Sequence, residues 1–158
     1  GMHHSFTAVE TQLLADIATT GGSFIFPVAA MSNVAQGAAA LSVLLILKKD
    51  NKMKGIASAS GISALLGITE PAIFGVNLKL RYPFYGAMIG SGVSSAYIML
   101  TKVLALAPGA AGLPGIISIR PDSMINYIIG MAISMGVAVV STIILAKTTA
   151  KKENLEVA

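Results

Sequence analysis

One carboxylate stands alone in a long apolar run. Glu70, in Gly67-Ile68-Thr69-Glu70-Pro71, is the only ionisable residue between Lys54 and Lys79. A carboxylate at or near membrane depth is costly and marks a functional site by default. Gly67 and Pro71 interrupt any helix on either side of it. A broken backbone at such depth is tolerated only where it is buried in protein or lines a watery cavity. Glu70 is therefore expected to point into a polar site and not at lipid. The competing reading is a buried structural carboxylate that caps or pairs.

Three other polar positions could do chemistry beside it. Thr69 and Asn77 flank the turn, and each could bond a ligand or satisfy backbone groups freed where the helix breaks. His3 could hydrogen-bond a ligand or shuttle its proton. His4 is adjacent, so on a helix it points elsewhere and reads as structural. A purification-tag remnant is the plain alternative for this pair. Asn33 and Gln36, three residues apart, share a helix face and read as packing groups that need protein partners. Lys79 and Arg81 mark an interface. The chain holds no Cys, which excludes disulfides, thiolate metal sites and covalent Cys chemistry within it. No metal-ligand spacing, phosphate loop or catalytic triad is present, so no metal and no cofactor is expected.

The elements that must position these residues belong to a membrane. Of 158 residues 54% are hydrophobic and 11% charged, where a globular domain carries about a quarter charged residues. Mean hydropathy is +0.77. The charges are bunched, leaving 17–47, 82–101, 103–119 and 123–146 without any. Stretches of roughly 20 apolar residues suit a spanning helix. The net charge of +4 comes from basic residues flanking the apolar runs, Lys48, Lys49, Lys52 and Lys54 in one cluster and Lys147, Lys151 and Lys152 in another. That is the pattern of cytoplasmic loops and ends, and it does not point to nucleic acid.

Along the chain, Phe6, Val9, Leu13 and Ile17 recur at helical spacing within 1–22, and Gly21-Gly22 ends that amphipathic segment. A spanning or deeply buried helix is predicted over 23–47, with Pro27 near its start. Residues 55–78 predict a re-entrant hairpin: a short helix in, a turn at Gly67–Pro71, and an extended return through Phe74-Gly75-Val76-Asn77. Short segments interrupted by Gly and Pro point to a transporter's binding site. Helices are predicted over 82–107, where Gly86 and Gly90 allow close packing, and over 123–146. A loop over 108–122 carries a short apolar piece at 116–119. Residues 147–158 predict a frayed polar tail. The fold class is all-α integral membrane, with about three spanning helices. The N-terminus has neither a charged n-region nor an apolar h-region, so it is not a signal peptide; the chain reads either as cut from a longer one or as opening on Gly1-Met2 left by cloning.

GITEPAIFGVNLKLRYPF at 67–84 resembles the signature of enzyme IIC, the sugar-translocating membrane domain of the bacterial phosphotransferase system. GMHHSFTAVETQLL at 1–14 and MSNVAQGAAA at 31–40 resemble the segments upstream of it. The match covers essentially the whole chain and favours the sucrose, trehalose and β-glucoside branch. The resemblance implies that residues 1–147 form the C-terminal part of an enzyme IIC and 148–158 a cytoplasmic tail. It implies a disaccharide substrate, sucrose first, with trehalose or a β-glucoside as alternatives. The sugar would be phosphorylated during uptake by a phosphocysteine on a partner enzyme IIB, itself served by enzyme IIA. Glu70 and His3 would line the sugar site and carry the chemistry. An Arg before the His pair and the dimerising half would lie upstream of Gly1, so this piece alone would not transport. The lipid bilayer of the bacterial plasma membrane would surround it, with the C-terminus cytoplasmic and the full-length protein a homodimer. A cation-coupled transporter with Glu70 as proton carrier is the rival from another class.

Overall fold

The computed structural model describes residues 6–47, 50–109 and 111–156, with side chains to Thr149. It is helical throughout: α1 (Thr7–Ala15), α2 (Ile17–Thr20), α3 (Ile25–Ile46), α4 (Asn51–Leu65), α5 (Glu70–Ala72), α6 (Leu78–Leu80), α7 (Tyr82–Leu100) and α8 (Met124–Glu156). A π-helical turn, Ile73–Asn77, joins α5 to α6. Among the described residues the only β-type pairings are isolated bridges from Ala105 to Ser23 and to Ile119.

Helix α3 is the axis, with α4, α7 and α8 packed around it. Its middle, Asn33–Ala40, is buried on every side. Small residues make that possible, because they let neighbouring backbones approach. At Gly37 an added Cβ would lie 2.9 Å from the Gly61 carbonyl oxygen, so α3 and α4 cross there. Helices α7 and α8 meet in the same way. A Cβ on Gly86 would lie 2.9 Å from the Thr142 backbone nitrogen, and one on Gly90 2.7 Å from the Ala138 Cβ. The Gly86/Gly90 pair thus serves close packing, as its spacing allows.

Among the described residues, two helices are long and apolar enough to cross a membrane: Ile25–Ile46 and the stretch Pro121–Thr149. The first is 67% buried, as the core helix of a water-soluble protein would also be. The second is the more telling, for it is only 28% buried. Ile125, Ile128, Val140 and Ile144 lie exposed along it. An apolar face that large needs an apolar surrounding or a partner.

Three elements depart from expectation. The return after the turn is helical, not extended. Pro71 falls in the first turn of α5, where a missing N–H costs nothing, and the backbone then bonds internally through the π turn. Helix α7 stops at Leu100 instead of running to 107. Lys102 adopts a positive φ of 50°, and the chain turns to place Val103 and Ala105 in the core. Helix α8 continues to Glu156 where a frayed tail was expected. Thr148 and Thr149 keep their hydroxyls on Ile144 O and Leu145 O, so they need no solvent-facing break.

Candidate functional site

The turn at Gly67–Glu70 is built by a helix end and a glycine. The Ile68 N–H closes back on Ser63 O at 3.0 Å, and the Gly67 N–H on Ala64 O at 3.0 Å. Gly67 itself sits at φ +107°, a conformation that L side chains rarely adopt. The chain then re-enters helix with Thr69 as the residue before α5, and the Thr69 carbonyl accepts from Ile73 N at 2.9 Å.

Glu70 occupies the first turn of α5 and is exposed. Among the described residues no side chain bonds or pairs with its carboxylate. The structural role of capping or pairing is therefore not what these residues give it. A carboxylate in the first turn of a helix is favoured by the amide dipoles, although α5 spans only a few residues.

Thr69 and Asn77 are both buried. The Asn77 amide nitrogen donates to the Gln36 backbone carbonyl at 3.0 Å and to Gln36 Oε1 at 2.6 Å. In this arrangement Asn77 ties the hairpin's return limb to the middle of α3, away from solvent. His3 and His4 lie outside the described residues.

The turn has a back wall. Gly67 abuts Ala111, whose carbonyl oxygen would lie 3.3 Å from an added Cβ. That short stretch of loop is pinned from both sides. Asn33 Nδ2 donates to Ala111 O at 2.5 Å, and Tyr127 OH donates to Gly112 O at 3.1 Å. The packing polar group expected at Asn33 thus holds the loop that holds the turn. Gly112 is required here too, since a Cβ on it would collide with Leu65 O.

A cavity of about 370 Å³ opens beside the turn. Gly67, Ile68 and Ala111 line it together with Thr7, Glu10 and Phe26. Its volume falls within the roughly 300–1,000 Å³ typical of small-molecule sites. A larger cavity, about 820 Å³, lies between α1, α3 and α7, where Phe6, Val9, Phe24 and Met99 make it almost wholly apolar. The smaller one is chemically the more informative, because it combines the broken turn with an ionisable group. Sequence reasoning left Glu10 unremarked among the polar members of the first helix. Its place four residues beyond Phe6, on the same helical spacing, was the available signal. Tyr127 is fully buried as a loop pin, a role its sequence position did not announce.

The chain is similar to known proteins along most of its length. The family described as phosphotransferase system, EIIC matches residues 1–92. A sucrose-specific EIIBC component of Pasteurella multocida is 65% identical over 93% of this chain and 31% of its own length. One from Vibrio alginolyticus is 67% identical over 92% of this chain and 30% of its own. A trehalose-specific EIIBC component of Bacillus subtilis is 53% identical over 84% of this chain and 28% of its own. The chain thus spans about a third of the length of the curated relatives it matches. No solved structure matches it.

Proposed function

Because this chain belongs to the enzyme IIC family of the phosphotransferase system, a bacterial membrane component, we propose that it forms the sugar-binding part of a sucrose permease. The observation that carries this reading is Glu70: an exposed carboxylate without a partner among the described residues, at a broken turn, in a chain otherwise built to avoid charge. A carboxylate can accept hydrogen bonds from two sugar hydroxyls at once. Placed against the attacking hydroxyl, it can also take that group's proton during phosphoryl transfer. The phosphoryl group would come from a phosphorylated enzyme IIB, itself served by enzyme IIA. His3 is the second ligand in this proposal. Thr7, four residues beyond it, lines the same cavity as Gly67 and Ile68. Thr69 and Asn77 support the turn from inside.

The hairpin is re-entrant in this reading. Helix α4 has 15 residues, about 22 Å of rise, short of the roughly 30 Å hydrocarbon core. Its entry carries Lys52 and Lys54, and its exit Lys79 and Arg81. Lys147 stands beside Leu45 and Ile46, at the end of α3 that precedes α4. Gathering of these cations at one end of the bundle supports a cytoplasmic face there, with the C-terminus cytoplasmic. Helix α7, with 19 residues, would be a third span. The complete permease would act as a homodimer.

Replacing Glu70 by Gln in the complete permease tests the proposal. Sucrose uptake and sucrose phosphorylation should both be lost while membrane insertion is kept. Uptake close to wild type would overturn the assignment. Sugar accumulating unmodified, and lost with an uncoupler, would favour cation coupling instead.

A further inference from the structure

The cavity beside the turn contains a second carboxylate that the proposal above does not use. Glu10 is half-buried on α1 and lines the cavity together with Gly67 and Ile68. Its orientation is set by a short relay. The Ile25 N–H donates to Ser23 Oγ at 3.2 Å, which turns the Ser23 proton toward Glu10 Oε1 at 3.4 Å. A carboxylate has about four acceptor positions, so one long bond leaves most of its capacity open. The turn residues Gly67 and Ile68 and the loop residues Pro108, Gly109 and Ala111 line it too, and Phe26 supplies an apolar surface. That combination suits a pyranose or furanose ring, which presents hydroxyls at its edge and C–H groups on its face. Glu70 does not line this cavity; Ile68, two residues earlier, does.

We infer that this cavity is a subsite for the sugar unit that is not phosphorylated, and that Glu10 is the acceptor for that unit's hydroxyls. The inference rests on the sugar-permease reading and deepens it: it assigns separate carboxylates to the two halves of a disaccharide. Glu70 then faces the reacting unit and Glu10 selects what is attached to it.

The test measures sucrose phosphorylation by vesicles that contain the complete permease and its phosphoryl donors, normalised to permease content. Glu10→Gln should raise KM for sucrose roughly 10- to 100-fold, the range expected for loss of a charged hydrogen bond. Its kcat should stay within about twofold, since this unit does not react. Ala29→Leu, which adds bulk to the cavity wall without touching Glu10, should raise KM as well. Ser23→Ala removes only the orienting hydroxyl and should shift KM less than Glu10→Gln. If wild type phosphorylates sucrose but both cavity variants keep KM within about twofold, the subsite is overturned and the permease reading stands. Equal shifts from Ser23→Ala and Glu10→Gln, or a fall in kcat alone, would place the effect in the packing of α1 and also overturn it. Failure of the wild type to phosphorylate sucrose would strike the permease reading itself.

Discussion

Asn77 donates its amide to both oxygens that Gln36 offers, the backbone carbonyl at 3.0 Å and the side-chain Oε1 at 2.6 Å. The carbonyl can only accept, so the orientation of the Asn77 amide is fixed by chemistry. Its own Oδ1 is left buried with no partner among the described residues. The bond spans 41 positions in sequence and joins the hairpin's return limb to the central helix.

Asn77→Ala should destabilise the protein by about 1–3 kcal/mol, because the buried Gln36 oxygens lose their donor. Asn77→Asp should be worse. It sets a carboxylate against two acceptors in a buried site, where an unpaired charge costs far more than an unpaired amide. Thermal inactivation in detergent, followed by the monodisperse fraction after heating, should rank wild type above Ala above Asp. Equal stability of Ala and Asp would show that this site is not buried in the working protein.

The contact between α7 and α8 rests on backbones in near contact. Gly90→Leu should separate the helices and cost several kcal/mol, since the side chain would have to displace the Ala138 backbone as well as its Cβ. Gly92, on the same helix, has nothing within 4 Å of an added Cβ. Gly92→Leu should therefore leave the yield of folded permease nearly unchanged. Comparable losses from both substitutions would remove the case for close packing at Gly90.

Asn33 and Tyr127 pin the loop behind the turn without lining its cavity. Tyr127→Phe removes a single hydroxyl and leaves the Gly112 carbonyl with only its bond from the Gly115 N–H. It should cost about 1 kcal/mol of stability. The wall at Ala111 should loosen with it and raise KM for sugar several-fold. Asn33→Ala should act in the same direction through Ala111, and the double variant should fall short of additivity, because both pins hold one loop. Fully additive effects, measured by sugar titration of the purified permease, would mean that the loop is held elsewhere.

Much of this arrangement was legible in the sequence. Long uncharged runs bounded by Lys marked the helices, and the helical spacing of Phe6, Val9, Leu13 and Ile17 marked the first of them. Gly67 and Pro71 marked the break, and the solitary Glu70 marked what the break carries. Gly86 and Gly90 marked a packing face without naming its partner. The return limb was misread as extended because Pro71 and Gly75 are usually breakers. Position decides their effect: Pro71 falls in a first turn, where its missing N–H is no loss.

The sequence by itself determined the class, the helices and the one charge that the apolar run tolerates. These follow from the cost of moving charge and unpaired backbone out of water, which acts residue by residue and can be read locally. Tertiary structure alone decided who meets whom. It turned Asn77 inward onto Gln36, backed Gly67 with a loop pinned by Asn33 and Tyr127, and brought Glu10 from the first helix to the wall of a cavity at the turn. Those pairings join positions tens of residues apart, and no local preference of the chain encodes them. They are set by which helix faces can approach closely, and so by where glycine and alanine leave room.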